Sequence, residues 1–335
     1  MGAAVVAALP LLGGLLTGCR PAPSAPARTP PARTPPASAP AAPATIAASP
    51  SPAVALSNPA APSLSRLRLD GRRGFVDASG TPVLGTSVTG FRLVEMMAHG
   101  RQGEAARFLA AVKPARFVRV LTLLDAGLFT LDPDEGLAAL GPTLDLAAQH
   151  GTYLEVTIFA GTKTMPGLDM RAIVARVADI CLAHVACGAI ELGNELSPLH
   201  STQDPRLGDL SFLRELRTII RTRGTLPVSL GSTHANQDES GIFREGDYLT
   251  VHGSREDGDD GWRWVLRARE QRALADRVDK YVWNDEPRRD DLACEKQLGM
   301  AILARLFGIG DTFHFGNGMF ALPPEGEEAS AFACR

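Results

Sequence analysis

From about residue 83 onward, short apolar runs alternate with longer stretches that mix apolar and charged residues. The short runs are rich in branched aliphatic and aromatic side chains, which is typical of buried strands. The longer stretches repeat apolar residues near the helical period, as at Leu137, Leu140, Leu144 and Ala147. The predicted strands are 83–88, 116–121, 153–159, 189–193, 228–232, 248–252, 281–283 and 312–315. The predicted helices are 104–112, 133–150, 170–185, 210–223, 262–278 and 292–307.

This order of elements predicts a closed parallel sheet. Strands that alternate with helices pair through right-handed crossovers, and eight such units close into a barrel. We therefore predict a (β/α)8 TIM barrel, preceded by a small hairpin at 74–82. The fifth connection offers only a short turn at 241–245, and the last helix has to fit into 326–334. A doubly wound sheet is the alternative, although 84–87 lacks the glycine spacing of a dinucleotide-binding loop.

The N-terminal part of the chain has a different composition from the rest. Residues 20–65 contain more than half of the 25 prolines, mostly among Ala, Ser and Thr. Such a segment has too little bulky apolar surface to offset the entropy lost on ordering. We therefore predict a disordered Pro/Ala-rich linker over 20–65 and a barrel domain over 66–335.

An apolar run at 3–16 precedes the linker. It is too short to span a bilayer and suits the core of a signal peptide. The run ends in Leu16-Thr17-Gly18-Cys19, which resembles the bacterial lipobox. The resemblance implies a signal peptide over 1–19, lipidation of Cys19, and an exported protein anchored by its lipid to the membrane of the cell envelope. An ordinary cleaved signal is the alternative.

Four cysteines follow Cys19, and an exported chain is free to form disulfides. We predict that Cys294 pairs with Cys334, and that Cys181 pairs with Cys187, with buried free thiols as the alternative. No close Cys-x-x-Cys or His-x-x-x-His spacing accompanies them, so neither a metal site nor a cofactor is predicted. The net charge of −3 gives no indication of a nucleic-acid partner.

Ionisable residues stand at the carboxyl ends of the predicted strands, where TIM barrels build their active sites. Glu195 follows the fourth strand and Glu286 follows the seventh, so barrel closure would bring two carboxyl groups to one cavity. Asp285 is the alternative to Glu286, because neighbours in a strand point to opposite sides. Further polar residues at the strand ends are Arg119, Asn194, His234, His252 and His314.

The order and spacing of these residues resemble the retaining glycoside hydrolases of clan A, especially the cellulase-like families. The resemblance rests on Gly193-Asn194-Glu195 at the fourth strand and on Glu286 about 90 residues later. Arg119 within the second strand and the hairpin at 75–82 are also similar to their counterparts in the family. The likeness covers about residues 66–320.

The resemblance implies hydrolysis of β-linked oligo- or polysaccharides by double displacement. Glu195 would be the acid/base, with a pKa raised to about 6 or 7, and Glu286 would be the nucleophile. Arg119 would hold Glu286 ionised, since a nearby cation lowers the pKa of a carboxyl group. Asn194 would hydrogen-bond the 2-hydroxyl of the sugar, and His252 would contact the nucleophile or the sugar.

Aromatic side chains, which stack on sugar rings, are few in this chain. Trp262 after the sixth strand and Trp283 within the seventh are the candidate platforms, with barrel filling as the alternative for Trp283. His234 and His314 are further candidate sugar contacts. Clan members commonly place a Trp on the eighth strand, but residues 312–316 contain none. A short oligosaccharide or an unusual glycan is therefore as good a candidate substrate as cellulose.

Two other functions are compatible with such a barrel. One is a catalytically weak or inactive barrel that binds carbohydrate, because a fold does not establish an activity. The other is a metal-dependent hydrolase, which would need His and Asp side chains that converge on one ion. The His-x-His motif that such barrels often carry on the first strand is absent from 85–90.

Overall fold

The computed structural model describes residues 63–83, 87–124, 131–196, 203–231, 233–234, 243–252, 261–286, 294–314 and 332–334. All of them belong to one compact unit, Ser57–Arg335. The predicted signal peptide, the lipidation site Cys19 and nearly all of the predicted linker lie outside the described residues.

A small antiparallel sheet precedes the barrel. Strand β1 (Arg68–Leu69) pairs with β2 (Phe75–Val76), and Val76 forms a further antiparallel bridge with Pro82. Gly80 turns the chain between them with a φ of +84°, a left-handed conformation that favours glycine. The hairpin predicted from the sequence is therefore confirmed, and β1 extends it by a strand that the apolar pattern did not predict.

The main sheet is parallel throughout and hydrogen-bonded in the order β7-β6-β5-β4-β3-β11-β10-β9-β8, with the strand bounds that follow. The strands are β3 (Ser87–Thr89), β4 (Phe117–Leu124), β5 (Tyr153–Ala160), β6 (Cys187–Gly193), β7 (Val228–Ser229), β8 (Thr233–His234), β9 (Leu249–His252), β10 (Val282–Glu286) and β11 (Gly310–Phe313).

The sheet closes at the predicted fifth strand, 228–232, as two short segments, of which the second begins just after the predicted range. The first segment, β7, pairs with β6, and the second, β8, pairs with β9. Strands β7 and β8 are the two edges of the sheet, and because only a few residues separate them, this short stretch of chain connects the two edges. Eight strand positions therefore surround a nearly closed barrel, which confirms the predicted (β/α)8 fold.

The helices lie between the strands as expected for crossover connections. They are α1 (Leu93–Ala98), α2 (Gln102–Ala111), α3 (Pro133–Gln149), α4 (Met170–Ala183), α5 (Leu210–Arg221), α6 (Gly261–Val278) and α7 (Cys294–Phe307). The predicted turn at 241–245 appears as a 3-10 turn at Phe243–Glu245, whereas α1 was not predicted. Most of the last predicted helix, 326–334, lies outside the described residues. Within the described parts of the chain, no helix is long and apolar enough to cross a membrane.

Aromatic side chains fill the barrel at the amino ends of its strands. Phe75 from the hairpin is central to them, with ring centroids 5.1 Å from Phe117 and 5.3 Å from Trp283. The hairpin thus plugs the end of the barrel opposite the strand ends that carry the polar residues. The buried aromatic members of this cluster are Phe75, Phe117, Tyr153, Tyr248, Tyr281 and Trp283.

Both predicted disulfides are formed. Cys294 at the start of α7 is bonded to Cys334, which ties the end of the chain to that helix. Cys181 near the end of α4 is bonded to Cys187 at the start of β6, across the short connection between them. Such bridges restrict the unfolded chain and are found mainly in proteins of oxidising compartments.

Candidate active site

Arg119 lies at the centre of the carboxyl-terminal half of the barrel. Alternation along β4 turns Val118 and Val120 outward into the core beneath the helices and turns Arg119 inward, where its side chain is only 1% exposed. A guanidinium buried this deeply needs charged or polar partners. Its partners are Glu191, Asn194, Asp285 and Glu286.

The planar guanidinium divides its donors among these side chains. Nη1 lies 2.6 Å from Oε1 of Glu286, and Nη2 lies 2.6 Å from Oε2 of Glu191. Nη2 also donates to Oδ1 of Asn194 at 2.9 Å, and Nε donates to Oε2 of Glu191 at 3.1 Å. Nε also lies 3.1 Å from Oδ2 of Asp285, as a charge contact. One arginine therefore fixes side chains from β6 and β10, on opposite sides of the barrel, in a single arrangement.

The end of β10 is irregular in a way that shapes the site. Asn284 pairs with Val251, but the register then shifts so that Glu286 pairs with His252. Such a bulge lets two successive residues of one strand face the same side. Asp285 and Glu286 both reach Arg119 inside the barrel, so the expectation that alternation would separate them is wrong. Both also lie within β10, not after it as predicted.

Glu195 follows the end of β6 with a φ of +52°, a left-handed conformation that a non-glycine residue rarely adopts. Such a conformation costs on the order of 1–3 kcal/mol and persists where neighbouring structure enforces it. Here the N–H of Asn194 donates to the carbonyl oxygen of Phe159 at 2.7 Å, and its own carbonyl accepts from Nε2 of Gln203 at 2.6 Å. The enforced turn directs Asn194 to Arg119 and Glu195 to His252.

His252 ends β9 and bridges the two candidate catalytic residues. Its Nδ1 lies 3.1 Å from Oε1 of Glu195 and 3.6 Å from Oε2 of Glu286. Its Nε2 lies 3.4 Å from Oδ1 of Asp285. The ring is 3% exposed, so these carboxyl groups surround it in a largely water-free environment.

Glu195 and Glu286 both lie beside Nδ1 of this imidazole. One carboxylate oxygen from each glutamate and one ring nitrogen of His252 all lie within 4.8 Å of one another. In glycoside hydrolases, carboxyl groups about 5–5.5 Å apart accompany retention and those about 6.5–9.5 Å apart accompany inversion. The close approach of one oxygen from each group agrees with the shorter spacing.

The charges around Glu286 keep its carboxyl group ionised. Burial raises the pKa of Glu286, but the positive charges of His252, Arg119 and His314 outweigh burial and lower the pKa below its usual range. The hydrogen bond from Arg119 acts in the same direction. These interactions therefore favour the ionised form of Glu286.

Two further buried carboxyl groups, which the sequence prediction missed, lie below the rim. Glu191 accepts hydrogen bonds from Thr157 at 2.7 Å and from Thr250 at 2.8 Å, in addition to those from Arg119. Oε1 of Glu155 accepts a 2.8 Å hydrogen bond from the Tyr248 hydroxyl. The sequence signal was a glutamate inside an otherwise apolar strand, at Tyr153–Ala160 and at Cys187–Gly193.

The carboxyl groups below the rim include two with raised pKa values. Burial raises the pKa of Glu155 to about 8, with the charge of Glu191 adding to the effect and Arg119 opposing it. Burial likewise raises the pKa of Asp285 well above its usual range, although Arg119 opposes the rise. The group around Arg119 therefore includes Glu155, which keeps its proton up to a pH of about 8, as well as the ionised Glu286.

The remaining candidate residues have different positions. His314 lies just after β11, where it is 3% exposed, its ring is 5.4 Å from that of Phe91 and its charge acts on Glu286. Trp283 is not at the rim: it is 4% exposed, and its Nε1 donates to Oγ1 of Thr312 at 2.9 Å. The prediction that Trp283 contacts substrate is therefore corrected to barrel filling. For the other two, only the backbone is described: His234 pairs with His252, and Trp262 lies in the first turn of α6.

The same trio of Glu195, His252 and Glu286 offers ligand types that can bind a divalent metal ion. Arg119 lies 2.6 Å from Glu286, and a fixed positive charge at that distance repels a second cation. The geometry and charge around Glu286 suit an anion held by an arginine better than a metal ligand.

Comparisons with known proteins bear on the fold. No protein-family model matches this chain, and no curated protein matches it. Among solved structures it is similar to a β-glucanase from Saccharophagus degradans in complex with cellotetraose, with a TM-score of 0.57 and 13% identity. The match covers 81% of this chain and 94% of that one.

Two mannosidases are similar as well. The exo-β-1,4-mannosidase from Opitutaceae bacterium strain TAV5 gives a TM-score of 0.56 at 16% identity, over 74% of this chain and 54% of that one. A glycoside hydrolase family 5 mannosidase from Rhizomucor miehei, in complex with mannosyl-fructose, gives 0.53 at 11% identity, over 75% and 85%. At these sequence identities the likeness shows the fold alone. For the fold, it confirms the predicted resemblance to the cellulase-like families.

Proposed function

We propose that this protein is a retaining glycoside hydrolase that cleaves β-linked oligo- or polysaccharides, with Glu195 as acid/base and Glu286 as nucleophile. The observation that carries the proposal is the separation of their carboxylate oxygens, within 4.8 Å at the carboxyl ends of two different barrel strands. A sugar ring between them would have a proton donor and a nucleophile within reach.

The first half of the reaction requires Glu286 as an anion and Glu195 as an acid. The pKa of Glu286 is lowered, after the opposing effect of burial, by His252 and Arg119, so the nucleophile is ionised before substrate arrives. Its Oε1 accepts a hydrogen bond from Arg119, and Oε2, which faces His252, is the oxygen that attacks the anomeric carbon. Glu195 protonates the departing oxygen as the glycosidic bond breaks, and a glycosyl ester forms on Glu286.

In the second half of the reaction, the two glutamates have exchanged their charge states. Glu286 is neutral as an ester, and Glu195 is now a carboxylate that can take a proton from water. The water attacks the anomeric carbon, the ester bond breaks, and Glu286 leaves as a carboxylate that Arg119 again stabilises. Two displacements at one carbon return the sugar with its original anomeric configuration.

Asn194 is the residue that we propose to contact the sugar 2-hydroxyl. Its side-chain carbonyl oxygen already accepts from Arg119, so its amide nitrogen is directed elsewhere. A hydrogen bond between that nitrogen and the 2-hydroxyl would tighten as the oxocarbenium-like transition state forms.

The substrate class follows from the fold neighbours and from the site. The neighbours include a glucanase solved with cellotetraose and two enzymes named as mannosidases. Since Trp283 fills the barrel and the side chain of Trp262 is not described, the described rim lacks a tryptophan platform. Short β-glucosides and β-mannosides are therefore the substrates that we would test first.

The experiment follows the anomeric configuration of the first product by proton NMR, on a panel of aryl β-glucosides, aryl β-mannosides and β-glucan oligosaccharides. We expect the β-anomer first, followed by slow mutarotation, and the same rate with and without EDTA. A first product in the α-configuration would contradict double displacement. A rate lost with EDTA and restored by a metal would favour the metal-dependent alternative, and binding without turnover would favour the carbohydrate-binding one.

We also propose that the chain is exported and anchored to the cell envelope by a lipid on Cys19. The two disulfides support an oxidising compartment. Expression of the full chain in bacteria grown with labelled palmitate should give a labelled protein in the membrane fraction. Cys19→Ala should lose the label, whereas a wild-type protein released without label would contradict the anchor.

A further inference from the structure

Gln203 is a buried polar residue to which the proposed reaction gives no role. It lies just before the 3-10 turn Pro205–Gly208 and is 8% exposed. Its Nε2 donates to the backbone carbonyl oxygen of Asn194 at 2.6 Å, and its Oε1 accepts from the hydroxyl of Thr162 at 3.0 Å. The side chain therefore links the turn that carries Glu195 to the turn that follows β5.

The partners of Gln203 accept only one orientation of its amide. A backbone carbonyl can only accept a hydrogen bond, and a backbone N–H can only donate one. The carbonyl is that of Asn194, and the N–H is that of Thr162, which lies 3.4 Å from Oε1. The side chain at position 203 therefore has to offer a donor and an acceptor at once, which glutamine does and methionine of similar length does not.

The far end of this link is fixed in the core. Thr162 is fully buried, and its hydroxyl also accepts from the backbone N–H of Asp204 at 3.0 Å. Asp204 caps the 3-10 turn Pro205–Gly208, in which Leu207 is fully buried. Because both turns are anchored in this way, the amide of Gln203 has a firm base from which to hold its third partner.

The held carbonyl belongs to the peptide between Asn194 and Glu195, where the backbone is strained. Glu195 has a φ of +52°, in the region that residues other than glycine avoid. Turning this one peptide over would give Glu195 an ordinary negative φ and move the flanking chain little. The bond from Asn194 N–H to the Phe159 carbonyl and the buried Leu196 hold the flanks, and the bond from Gln203 opposes the turning of the peptide itself.

We propose that Gln203 is a positioning residue, whose hydrogen bond to the Asn194 carbonyl keeps the Asn194–Glu195 peptide in the orientation that directs the Glu195 carboxyl group toward His252 and Glu286. The sign of φ sets the direction in which the side chain leaves the backbone. Its reversal would take the carboxyl group of Glu195 away from Nδ1 of His252, which lies 3.1 Å from it. The proposal rests on the proposed glycosidase function for its kinetic consequence, but not for its structural one.

The kinetic consequence concerns proton transfer and not the nucleophile. Glu286 lies on β10 and accepts a 2.6 Å hydrogen bond from Arg119 on β4, and neither residue belongs to the turn that Gln203 holds. Without the Gln203 bond, protonation of the departing oxygen by Glu195 should weaken while attack by Glu286 continues. A leaving group of low pKa departs without a proton donor, whereas one of high pKa requires it.

The structural experiment compares crystal structures of the full chain with and without Gln203→Met. We expect a positive φ at Glu195 in the wild type. In Gln203→Met we expect a negative φ, with the carboxyl group of Glu195 no longer beside His252. Thr162→Val removes the hydroxyl that anchors Oε1 and should change the structure in the same direction. Urea unfolding checks that each variant is folded.

The kinetic experiment uses two leaving groups on the sugar that the wild type hydrolyses best, dinitrophenol and phenol. We expect Gln203→Met to lower kcat/KM on the order of tenfold or more for the phenyl glycoside and by less than about threefold for the dinitrophenyl glycoside. Thr162→Val should show the same preference with a smaller loss, of about threefold for the phenyl glycoside. Gln271→Met is the matched control: Gln271 is a buried glutamine on α6, 5% exposed, and both rates should stay within about twofold of the wild type.

Three results would overturn the proposal. One is an unchanged positive φ at Glu195 in Gln203→Met. Another is an equal loss of kcat/KM for both leaving groups, which a merely structural role predicts, and the third is wild-type rates with both. If Gln203→Met does not fold, Thr162→Val is judged by the same three results. If φ changes as expected but the wild type hydrolyses no glycoside, the positioning role stands and the proposed function fails.

Discussion

The lower half of the barrel interior, at the amino ends of the strands, is apolar, and the upper half, at their carboxyl ends, is ionisable. The same strands supply both halves. Two residues further along each strand, an apolar side chain gives way to an ionisable one, and both face inward because strands repeat every second residue. The pairs are Phe117 and Arg119 on β4, Tyr153 and Glu155 on β5, Ala189 and Glu191 on β6, and Trp283 and Asp285 on β10.

The apolar lower half provides the water-poor environment on which the electrostatics of the upper half depend. The aromatic cluster and the hairpin residue Phe75 exclude water from below, so charges above them interact in a medium of low dielectric constant. There, Arg119 and His252 lower the pKa of Glu286 while burial raises the pKa of Asp285. We therefore expect changes in the upper half to alter rates and pH profiles, and changes in the lower half to alter stability alone.

The largest expected effect is on the nucleophile. Glu286→Gln keeps the shape of the side chain but cannot form a glycosyl ester, so kcat should fall on the order of 10⁴-fold or more. Binding of an oligosaccharide substrate, measured by calorimetry, should remain within about tenfold. A variant that keeps more than a hundredth of the wild-type rate would contradict the assignment of Glu286.

Next in size is the loss of the central cation. Arg119→Met leaves a buried group of carboxyls without its positive charge, and breaking such an ion pair costs about 3–5 kcal/mol in the free energy of unfolding. Without Arg119 the pKa of Glu286 should rise, so the acidic limb of the activity profile should move to higher pH.

A surface arginine provides the control for this variant. Arg171 pairs with Glu215 on the exposed faces of α4 and α5, and Arg171→Met should cost at most about 1 kcal/mol. Urea unfolding and pH–rate profiles measure both variants. Equal losses of unfolding free energy in the two variants would show that the buried ion pairs of Arg119 stabilise the protein no more than a surface ion pair does.

A smaller effect concerns the pH dependence of stability. The pKa of Glu155 is raised to about 8, so its contribution to stability is full below its ordinary pKa near 4.5 and is lost as pH rises toward 8. Glu155→Gln cannot titrate, so it should gain about 1–3 kcal/mol relative to the wild type between pH 5 and pH 8. Urea unfolding at both pH values tests this, with exposed Glu295→Gln as the control. Parallel stability curves would contradict a protonated Glu155.

The smallest effect is expected in the lower half. Phe117→Leu keeps an apolar side chain of similar size beneath Arg119 and should cost about 1 kcal/mol in unfolding free energy. Neither kcat nor KM should change by more than about twofold, since the side chain packs within the aromatic cluster, against Phe75, Tyr153 and Trp283. A tenfold drop in kcat would show that the aromatic cluster positions Arg119 directly instead of only sealing the barrel.

Sequence patterns were sufficient to predict the barrel and the proximity of Glu195 and Glu286. The periodic apolar runs determine the number of strands, and the strand-end rule then brings Glu195 and Glu286 to one rim. The depth of a side chain within the barrel was harder to predict. Trp283 and Asp285 stand two residues apart on β10, and the chain alone does not show which layer meets the sugar.

Two other features had weak or no local signals. The bulge at Asp285 is a one-residue change of register that depends on how β10 pairs with β9, and no residue type in either strand indicates it. Helix α1 is short, and its N-cap residue, Arg92, forms no side-chain capping hydrogen bond, so the usual start signal is absent. Glu155 and Glu191 did carry a signal, as charges within apolar strands, and could have been read as a buried network.

The most direct test of the account is to trap the glycosyl ester. The protein is incubated with dinitrophenyl 2-deoxy-2-fluoro-β-glucoside and with the corresponding mannoside, which form the ester but hydrolyse it slowly. Tandem mass spectrometry of the digested protein then locates the added sugar. We expect one sugar per chain, on the carboxyl group of Glu286, and none in Glu286→Gln. A sugar on neighbouring Asp285, on Glu195 or on any other residue would contradict it.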